Sequence, residues 1–306
     1  MSVANPPLED AIPATEAVVP APHTAGTTES TPAPVVTLIC PAQGWQLINF
    51  GELWQFRELI YFLTWRDVKV RYKQTLLGAA WAILQPLLMM VVFTIFFGRM
   101  AGVSSGGVDY PLFAYAGLLP WTFFATAIAA AGNSVVGSER LITKIYFPRL
   151  AVPFASVGAA VVDFLIAFGL LIAMMVYYRV APGWGLLFMP VIFGSILLAA
   201  LGVGSLLAAL NVAYRDFRYV IPFLVQLWMF ATPTVYMQPK ETATSWIHVL
   251  LELNPMTTLI AVFRASVLGG PVPWGPLAIA VAAVALAFLL GCFYFRRVED
   301  TFADII

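Results

Sequence analysis

A cluster of basic residues precedes the first long apolar segment of the chain and could bind an anion. Arginine offers phosphate a planar fork of donors, and lysine offers it a compact charge. The same residues could bind anionic lipid without selectivity, or reflect only the basic bias of cytoplasmic segments beside membrane spans. The cluster therefore predicts an anion-binding surface at a membrane face, and its members are Arg66, Lys69, Arg71 and Lys73.

Residue patterns for several other chemistries are absent from the sequence. It has no Gly-x-x-x-x-Gly-Lys-Ser/Thr phosphate loop and no His-Glu-x-x-His pair, and its histidines, His23 and His248, are too far apart for a metal site. Asp163 is the one ionisable residue deep within a predicted span, whereas a proton-driven carrier usually has several. We therefore expect no catalysis, metal or cofactor on this chain, and an energy source on another polypeptide. Asp163 is expected to pair with another helix or subunit rather than to line a pathway.

The elements that position these residues are predicted to lie in a bilayer. The chain has 306 residues, 61% hydrophobic and 10% charged, against roughly 25% charged residues in a soluble domain. Its zero net charge gives no indication of nucleic-acid binding. An apolar run of about 20 residues crosses the hydrocarbon as a helix, because the bilayer satisfies no backbone polar group. We predict an all-α integral membrane protein with six spans, at about 77–97, 111–136, 151–178, 186–210, 219–236 and 274–295, with Gln85-Pro86 interrupting the first.

Three segments outside these spans have characters of their own. Residues 1–48, rich in Pro, Ala and Thr, predict a disordered cytoplasmic tail ahead of a transmembrane domain over 49–306. Residues 52–75 predict an amphipathic helix that lies flat in the membrane interface or packs on a partner. Its apolar residues repeat at helical spacing: Leu53, Phe56, Leu59, Ile60 and Leu63. Residues 243–270 hold two apolar pieces too short to cross, separated by Asn254-Pro255, and predict a re-entrant helical pair on the outer side.

The distribution of basic residues predicts the orientation of the chain. Twelve of the 16 Lys and Arg residues fall on one side of the predicted spans, which the positive-inside rule assigns to the cytoplasm. Both termini then lie in the cytoplasm, consistent with an even number of spans. Cys40 and Cys292 lie on this reducing side, so no disulfide is expected.

The loop between the second and third predicted spans carries aromatic residues at the cytoplasmic membrane face. It reads GSERLITKIYFPRL over 137–150. Docking in a groove of a partner protein would remove Tyr146 and Phe147 from water. Alternatively, the rings fold back into the interface as membrane anchors. The residues alone leave both interpretations open.

Five stretches of the sequence resemble, in order and spacing, the membrane subunits of type-2 ABC exporters, specifically the polysaccharide and O-antigen export permeases. Together they cover most of residues 53–298, whereas the tail 1–44 lies outside the resemblance. The stretches are WRDVKVRYKQTLLGAAWAILQPLLMMVVFTIFFG (65–98), AGLLPWTFF (116–124), GNSVVGSERLITKIYFPR (132–149), NVAYRDFRYVIPFLVQLWMFATPTVY (211–236) and NPMTTLIAVFRASVLG (254–269).

The resemblance implies a homodimer bound to two copies of an ABC ATPase subunit, which would hold ATP and Mg. It also implies that the loop 137–150 contains the coupling helix that docks on the ATPase, through Ser138, Glu139, Arg140, Lys144, Tyr146, Phe147, Pro148 and Arg149. A second contact would involve Tyr214, Arg215, Asp216 and Arg218. Alternatively, Arg215 and Asp216 form a solvated ion pair of little energetic value.

The cargo that the resemblance implies is a polysaccharide on a polyprenyl-pyrophosphate anchor, exported across a bacterial inner membrane. Its anionic head would reach the basic cluster from the inner leaflet. Its sugars would pass aromatic rings that could stack on them, or that form only an interfacial belt: Phe93, Phe97, Trp228, Phe230 and Tyr236. Gln85, Gln226 and Asn211 could hydrogen-bond sugars or join helices. Alternatives are a permease of the same fold for another lipid, teichoic acid or drug, a membrane glycosyl or acyl transferase, and a proton-coupled carrier.

Overall fold

Regular structure in this protein is entirely helical within the part of the chain that the structure describes, which confirms the all-α membrane class. The computed structural model describes residues 50–73, 78, 80–103, 105–181, 183–236, 253–299 and 302. Its α-helices are α1 (Phe50–Gln55), α2 (Arg57–Lys73), α3 (Ala80–Phe93), α4 (Tyr110–Gly137), α5 (Glu139–Ile142), α6 (Ala151–Tyr177), α7 (Met189–Ala213), α8 (Phe217–Phe230), α9 (Pro255–Leu268) and α10 (Trp274–Val298). The predicted tail 1–48 and the first part of the predicted re-entrant pair, 243–252, lie outside the described residues.

Five helical segments among the described residues are long and apolar enough to cross a bilayer. They are Ala80–Met100, Tyr110–Gly137, Ala151–Tyr177, Trp184–Ala213 and Trp274–Val298. At about 1.5 Å per residue, each is roughly 30 Å or longer, which is the thickness of the hydrocarbon core. Their positions agree with five of the predicted spans.

The predicted span over 219–236 is shorter than expected. The helix α8 has 14 residues, or roughly 21 Å, and ends at Phe230. Pro233 lacks a backbone N–H and disfavours a helical conformation at Thr232, so the chain turns over 231–236 instead of continuing the helix. The prediction of a continuous helix over 219–236 is therefore corrected to a short helix followed by a turn.

The first long helix is continuous where an interruption was predicted. The helix α3 passes through Pro86, which is buried against α4 and α6. Neighbouring helices can hold a proline within a membrane helix despite the lost hydrogen bond. The last turns of this segment, Thr94–Met100, widen into a π-helix, and the Thr94 hydroxyl donates to the Met90 carbonyl at 2.7 Å.

The helix α4 forms the centre of the bundle and packs against α6 and α7, with most of its residues buried. Small residues let the backbones approach closely, as is common between membrane helices. Gly204 of α7 lies against Ala131 of α4, and Gly202 of α7 lies against Gly291 of α10. By contrast, the segment Ala80–Met100 lies at the periphery, and Pro86 is its only buried residue.

The segment predicted as an interface helix forms two helices, α1 and α2, which are interrupted at Phe56. Leu53 and Leu63, on the predicted apolar side, are buried. The opposite side is mixed in character, because it exposes Trp54 and Phe62 as well as Arg57 and Glu58. One side of this segment therefore packs on the bundle, while the other exposes aromatic rings together with charged side chains.

Candidate coupling face and transport path

The loop between α4 and α6 packs against the helical bundle on one side and is exposed on the other. Ile142, Phe147 and Leu150 are buried in an apolar cluster that also contains residues of α1, α7 and α10. The backbone N–H of Leu141 and that of Ile142 both bond to the Ser138 carbonyl, which starts the short helix α5. The loop therefore presents a fixed shape at this end of the bundle, which we call the inner face because the basic residues predict it to be cytoplasmic.

The predicted docking residues divide into an exposed and a buried set. The exposed set consists of Glu139, Arg140, Lys144 and Tyr146. The other four are Ser138, Phe147 and Pro148, which are buried, and Arg149, which is half-buried. Ile145, which is not among the predicted docking residues, is 58% exposed beside Tyr146. A partner protein could contact the exposed set directly, whereas the buried set maintains the shape of the loop.

A cleft of about 360 Å³ opens between this loop and the ends of α1 and α10. Arg296 of α10 donates to the carboxylate of Glu52 in α1 at 2.8 Å and to that of Glu299 at 3.1 Å. Arg149 of the loop donates to the backbone carbonyl of Glu299. These bonds join the loop, α1 and the end of α10 into one unit. Nothing local in the sequence indicates these bonds, because Glu52 and Arg296 lie 244 positions apart.

A second cleft of about 360 Å³ lies where the loop between α7 and α8 meets the end of α4. Its lining includes Glu139 of the first loop together with Arg215 and Arg218. Asn211, also in the lining, donates from its side-chain amide to the Gly132 carbonyl at 2.8 Å and so joins α7 to α4. The structure thus brings residues of both predicted cytoplasmic contacts to one surface.

Arg71, one of the four predicted anion-binding residues, is engaged within the protein. It forms an ion pair with Asp163 of α6, and the Tyr72 hydroxyl donates to the same carboxylate. Burial, and then the hydrogen bond to Asp163, raises the pKa of Tyr72 above the usual range of a phenol, so the hydroxyl stays protonated as a donor. Asp163 is therefore an interhelix partner, as expected, and it fixes the end of α2 against α6.

The other three basic residues of the cluster are exposed. Arg66 pairs with the adjacent Asp67 at 2.8 Å. Lys69 lies over the Trp65 ring, 5.4 Å from its centroid, and Lys73 is exposed at the end of α2. Since Arg71 is engaged with Asp163, Lys69 and Lys73 are the cluster members best placed to meet an anion from outside.

The predicted aromatic path residues lie on α3, in the π-helical turns after it, on α8 and in the turn that follows α8. Phe93 ends α3, and its ring is tilted by 40° against that of Phe97 in the π-helical turns, with the centroids 5.7 Å apart. Phe230, the last residue of α8, is 65% exposed, and the Tyr236 hydroxyl donates to its carbonyl at 3.3 Å. Phe230 is therefore accessible from outside the chain, whereas Phe93, Phe97 and Tyr236 are half-buried.

Trp228 is held more firmly than the other predicted path residues. Its ring packs edge-on against Phe124 of α4, at 5.1 Å between centroids, and it also contacts Trp121. Its indole N–H donates to the Asn254 side chain at 3.2 Å. Trp228 thus joins three helices. Asn254 was interpreted from the sequence only as a break, because nothing local indicates its distant partners.

Comparisons with known proteins agree with this architecture. The family model described as ABC-2 type transporter matches residues 58–268. The O-antigen export system permease protein RfbA of Myxococcus xanthus is 31% identical over 256 residues, which cover 83% of this chain and 98% of that protein. The RfbA permease of Klebsiella pneumoniae is 27% identical over 265 residues, covering 84% and 97%. The polysialic acid transport protein KpsM of Escherichia coli is 21% identical over 215 residues, covering 69% and 81%.

The helical bundle and its apolar spans define a multi-pass membrane transport protein. More particularly, the chain belongs to the ABC-2 type transporter family, since the family match includes α2, both inner-face loops and α9.

Proposed function

We propose that this chain is the membrane-spanning permease subunit of an ATP-driven exporter that moves polyprenyl-pyrophosphate-linked polysaccharide, of the O-antigen kind, out of a bacterial cell. The observation that carries this proposal is the similarity along 98% of an O-antigen permease. The chain catalyses no covalent reaction in this scheme. It lies in the inner membrane with both termini in the cytoplasm, an orientation supported by the predominance of basic residues on the inner face.

The proposed complex contains two copies of the permease and two ATPase subunits, which bind ATP and Mg. The exposed side of the loop 137–150 supports ATPase docking, because Ile145 and Tyr146 offer apolar surface beside Arg140 and Lys144. Aromatic and apolar residues with a charged rim are typical of specific protein interfaces. Movement of the docked loop would reach α1 and α10 through Arg149 and Arg296.

The proposed path runs along α3 and α8. Lys69 and Lys73 on α2 would attract the pyrophosphate head at the inner leaflet. Phe93, Phe97 and Phe230 would then let sugar faces slide past without tight binding. A permease for another lipid, teichoic acid or drug is the second candidate, and a relative named for polysialic acid illustrates that cargo varies among similar proteins.

Deletion of the gene tests the cargo. We expect lipid-linked glycan to accumulate on the cytoplasmic side and surface glycan to disappear, with both effects reversed by the intact gene. Normal surface glycan without internal accumulation would overturn the glycan assignment. Accumulation of a different polymer or lipid would favour the second candidate.

Charge reversal in the loop tests docking. Arg140→Glu combined with Lys144→Glu is expected to leave the permease folded, because both side chains are exposed, but to abolish co-purification of the ATPase. Arg99→Glu, an exposed arginine on the far end of the first long segment, is the matched control and should retain the ATPase. Retention of the ATPase by the double variant would show that the enzyme docks elsewhere.

A further inference from the structure

Asn254 joins the end of α8 to the start of α9 through four hydrogen bonds. Its side-chain oxygen accepts from the Trp228 indole at 3.2 Å and from the Met256 backbone N–H at 3.1 Å. Its amide donates to the Thr232 hydroxyl at 2.9 Å and to the Ala231 carbonyl at 3.5 Å. The bond to Met256 caps α9. The other three bonds hold α8 and the turn after it.

Arg264 of α9 holds the same turn from a second point. Its guanidinium donates to the Thr234 carbonyl and lies over the Phe113 ring of α4, 4.0 Å from the centroid. Gly117 of α4 leaves the space that this requires, since a Cβ there would collide with both Arg264 and the Thr234 carbonyl. The Tyr110 hydroxyl adds a bond to the Val235 carbonyl at 2.8 Å.

Much of what holds residues 231–236 in place comes from these side-chain bonds. Pro233 supplies no backbone donor, and the turn has few backbone bonds of its own, such as Thr234 N–H to the Thr232 carbonyl at 2.7 Å. Placing a guanidinium among apolar helices is costly, and its bond to the Thr234 carbonyl and its contact with the Phe113 ring partly offset that cost. The turn carries Tyr236 and follows directly after Phe230, both of which belong to the proposed path.

We infer that Asn254 and Arg264 are positioning residues for transport: they fasten the turn 231–236 to α9, so that the outer end of α8 and its path-lining rings move as one body with α9. This inference relies on the proposed path along α8. It assigns a task to α9, which is otherwise a short helix that does not cross the membrane. Release of the turn would leave the helices in place but let Phe230 and Tyr236 lose their fixed arrangement.

Two variants separate this role from folding. Asn254→Ser keeps a residue that caps α9 well but is too short to reach Trp228 and Thr232. Arg264→Met keeps the length and apolar stem of the side chain but removes the donors. Thr257→Val is the matched control on α9, because the buried Thr257 hydroxyl has no hydrogen-bond partner within the described residues.

Hydrogen exchange on the purified full-length complex, measured by mass spectrometry, reports on the turn directly. We expect backbone exchange over 231–236 to become about tenfold faster in Asn254→Ser and Arg264→Met, because the side-chain bonds that slow local opening are lost. Exchange in α4 and α7 should stay unchanged. Surface glycan in the deletion strain should fall, while the amount of assembled complex and its ATP hydrolysis are kept. Thr257→Val should match the natural protein in every measurement.

Unchanged exchange in both variants would overturn the fastening. Faster exchange with full export would overturn the role in transport, and equal loss of export in Thr257→Val would do the same. Arg264→Lys keeps the charge but lacks the planar fork, so it should show an intermediate increase in exchange and provides the decisive variant if Arg264→Met fails to assemble. The exchange measurement does not depend on the cargo, so failure of the glycan assignment is distinguishable from failure of this inference.

Discussion

Among single residues, Asp163 shows most directly how α2 is held. The side chains of Arg71 and Asp163 keep 32% and 20% of their exposure, so the ion pair is only partly removed from water. Asp163→Asn would leave Arg71 half-buried without its countercharge. We expect the free energy of unfolding to fall by about 1–3 kcal/mol. The melting temperature of the purified protein in detergent measures this loss.

The double variant Arg71→Gln/Asp163→Asn provides the control for this prediction. It removes both charges together, so its loss of stability should be smaller than the sum of the two single losses. If Asp163→Asn melts at the same temperature as the natural protein, or if the stability losses of the two single variants simply add in the double variant, the pair does not fasten α2 to α6.

Two neighbouring aromatic residues of the inner-face loop are expected to affect different properties, one stability and the other partner binding. Phe147 is 5% exposed within the apolar cluster, so Phe147→Ala should lower the free energy of unfolding by about 3 kcal/mol. Tyr146 is 74% exposed, so Tyr146→Ala should leave stability unchanged but weaken ATPase binding. Melting temperature and co-purification distinguish the two. A stable Phe147→Ala protein would contradict the burial of that ring.

Among the elements, α7 and α10 cross at a pair of glycines. A Cβ added at Gly291 would meet the Gly202 carbonyl, and one added at Gly202 would meet the backbone of Phe288. Gly291→Ala must therefore separate two backbones that lie in direct contact. We expect it to lower the free energy of unfolding by about 1–3 kcal/mol and to reduce the fraction that elutes as a single species in detergent.

Gly194→Ala is the matched control in α7, because no atom lies within 4 Å of the added Cβ. Alanine is the better helix former by roughly 1 kcal/mol, so this variant should be at least as stable as the natural protein. Equal behaviour of the two alanine variants would show that the crossing of α7 and α10 tolerates an added methyl group.

The sequence predicts elements well where the bilayer alone decides the structure. The predicted span 151–178 is found as α6 because an apolar run of that length has no alternative to a helix in lipid. Neighbouring helices decide the less regular places. The helix α3 continues through Pro86 since α4 and α6 enclose it, whereas Pro233 lies in a turn fastened by α9. The residues next to each proline indicate neither the continued helix at Pro86 nor the turn at Pro233.

In the candidate site too, short stretches of sequence predict some features, while contacts between distant residues decide the others. The loop 137–150 could be identified from its aromatic residues and its resemblance, since both lie within one short stretch. The sequence could not predict which of those residues point outwards, because burial of Phe147 depends on packing against distant helices. The pairing of Arg71 with Asp163 spans 92 positions and follows from how α2 lies along α6. Because of this long-range contact, Arg71, which was predicted to lie on an anion-binding surface, instead holds α2 against α6.

Exposed stripes on two peripheral helices indicate where a path could form in the whole molecule. The stripe on α3 and the π-helical turns after it consists of Gln85, Met89, Val92 and Phe96, and that on α8 consists of Tyr219, Phe223, Gln226 and Phe230. An amide that faces lipid tails without a partner costs about 2–7 kcal/mol. The two glutamines therefore favour stripes that face water or a second copy of the chain rather than lipid.

Single cysteines can decide what these stripes face. Phe223→Cys and Met89→Cys, each in a chain with Cys40 and Cys292 replaced by serine, should react with a membrane-impermeant maleimide, because the reactive thiolate forms only in contact with water. Mild oxidation should also link two copies through these sites. Leu286→Cys, at a position 58% exposed on the long apolar helix α10, is the control that we expect to face lipid, and it should do neither. If all three positions resist labelling equally, α3 and α8 face lipid, and a path between two copies must be formed by other helices.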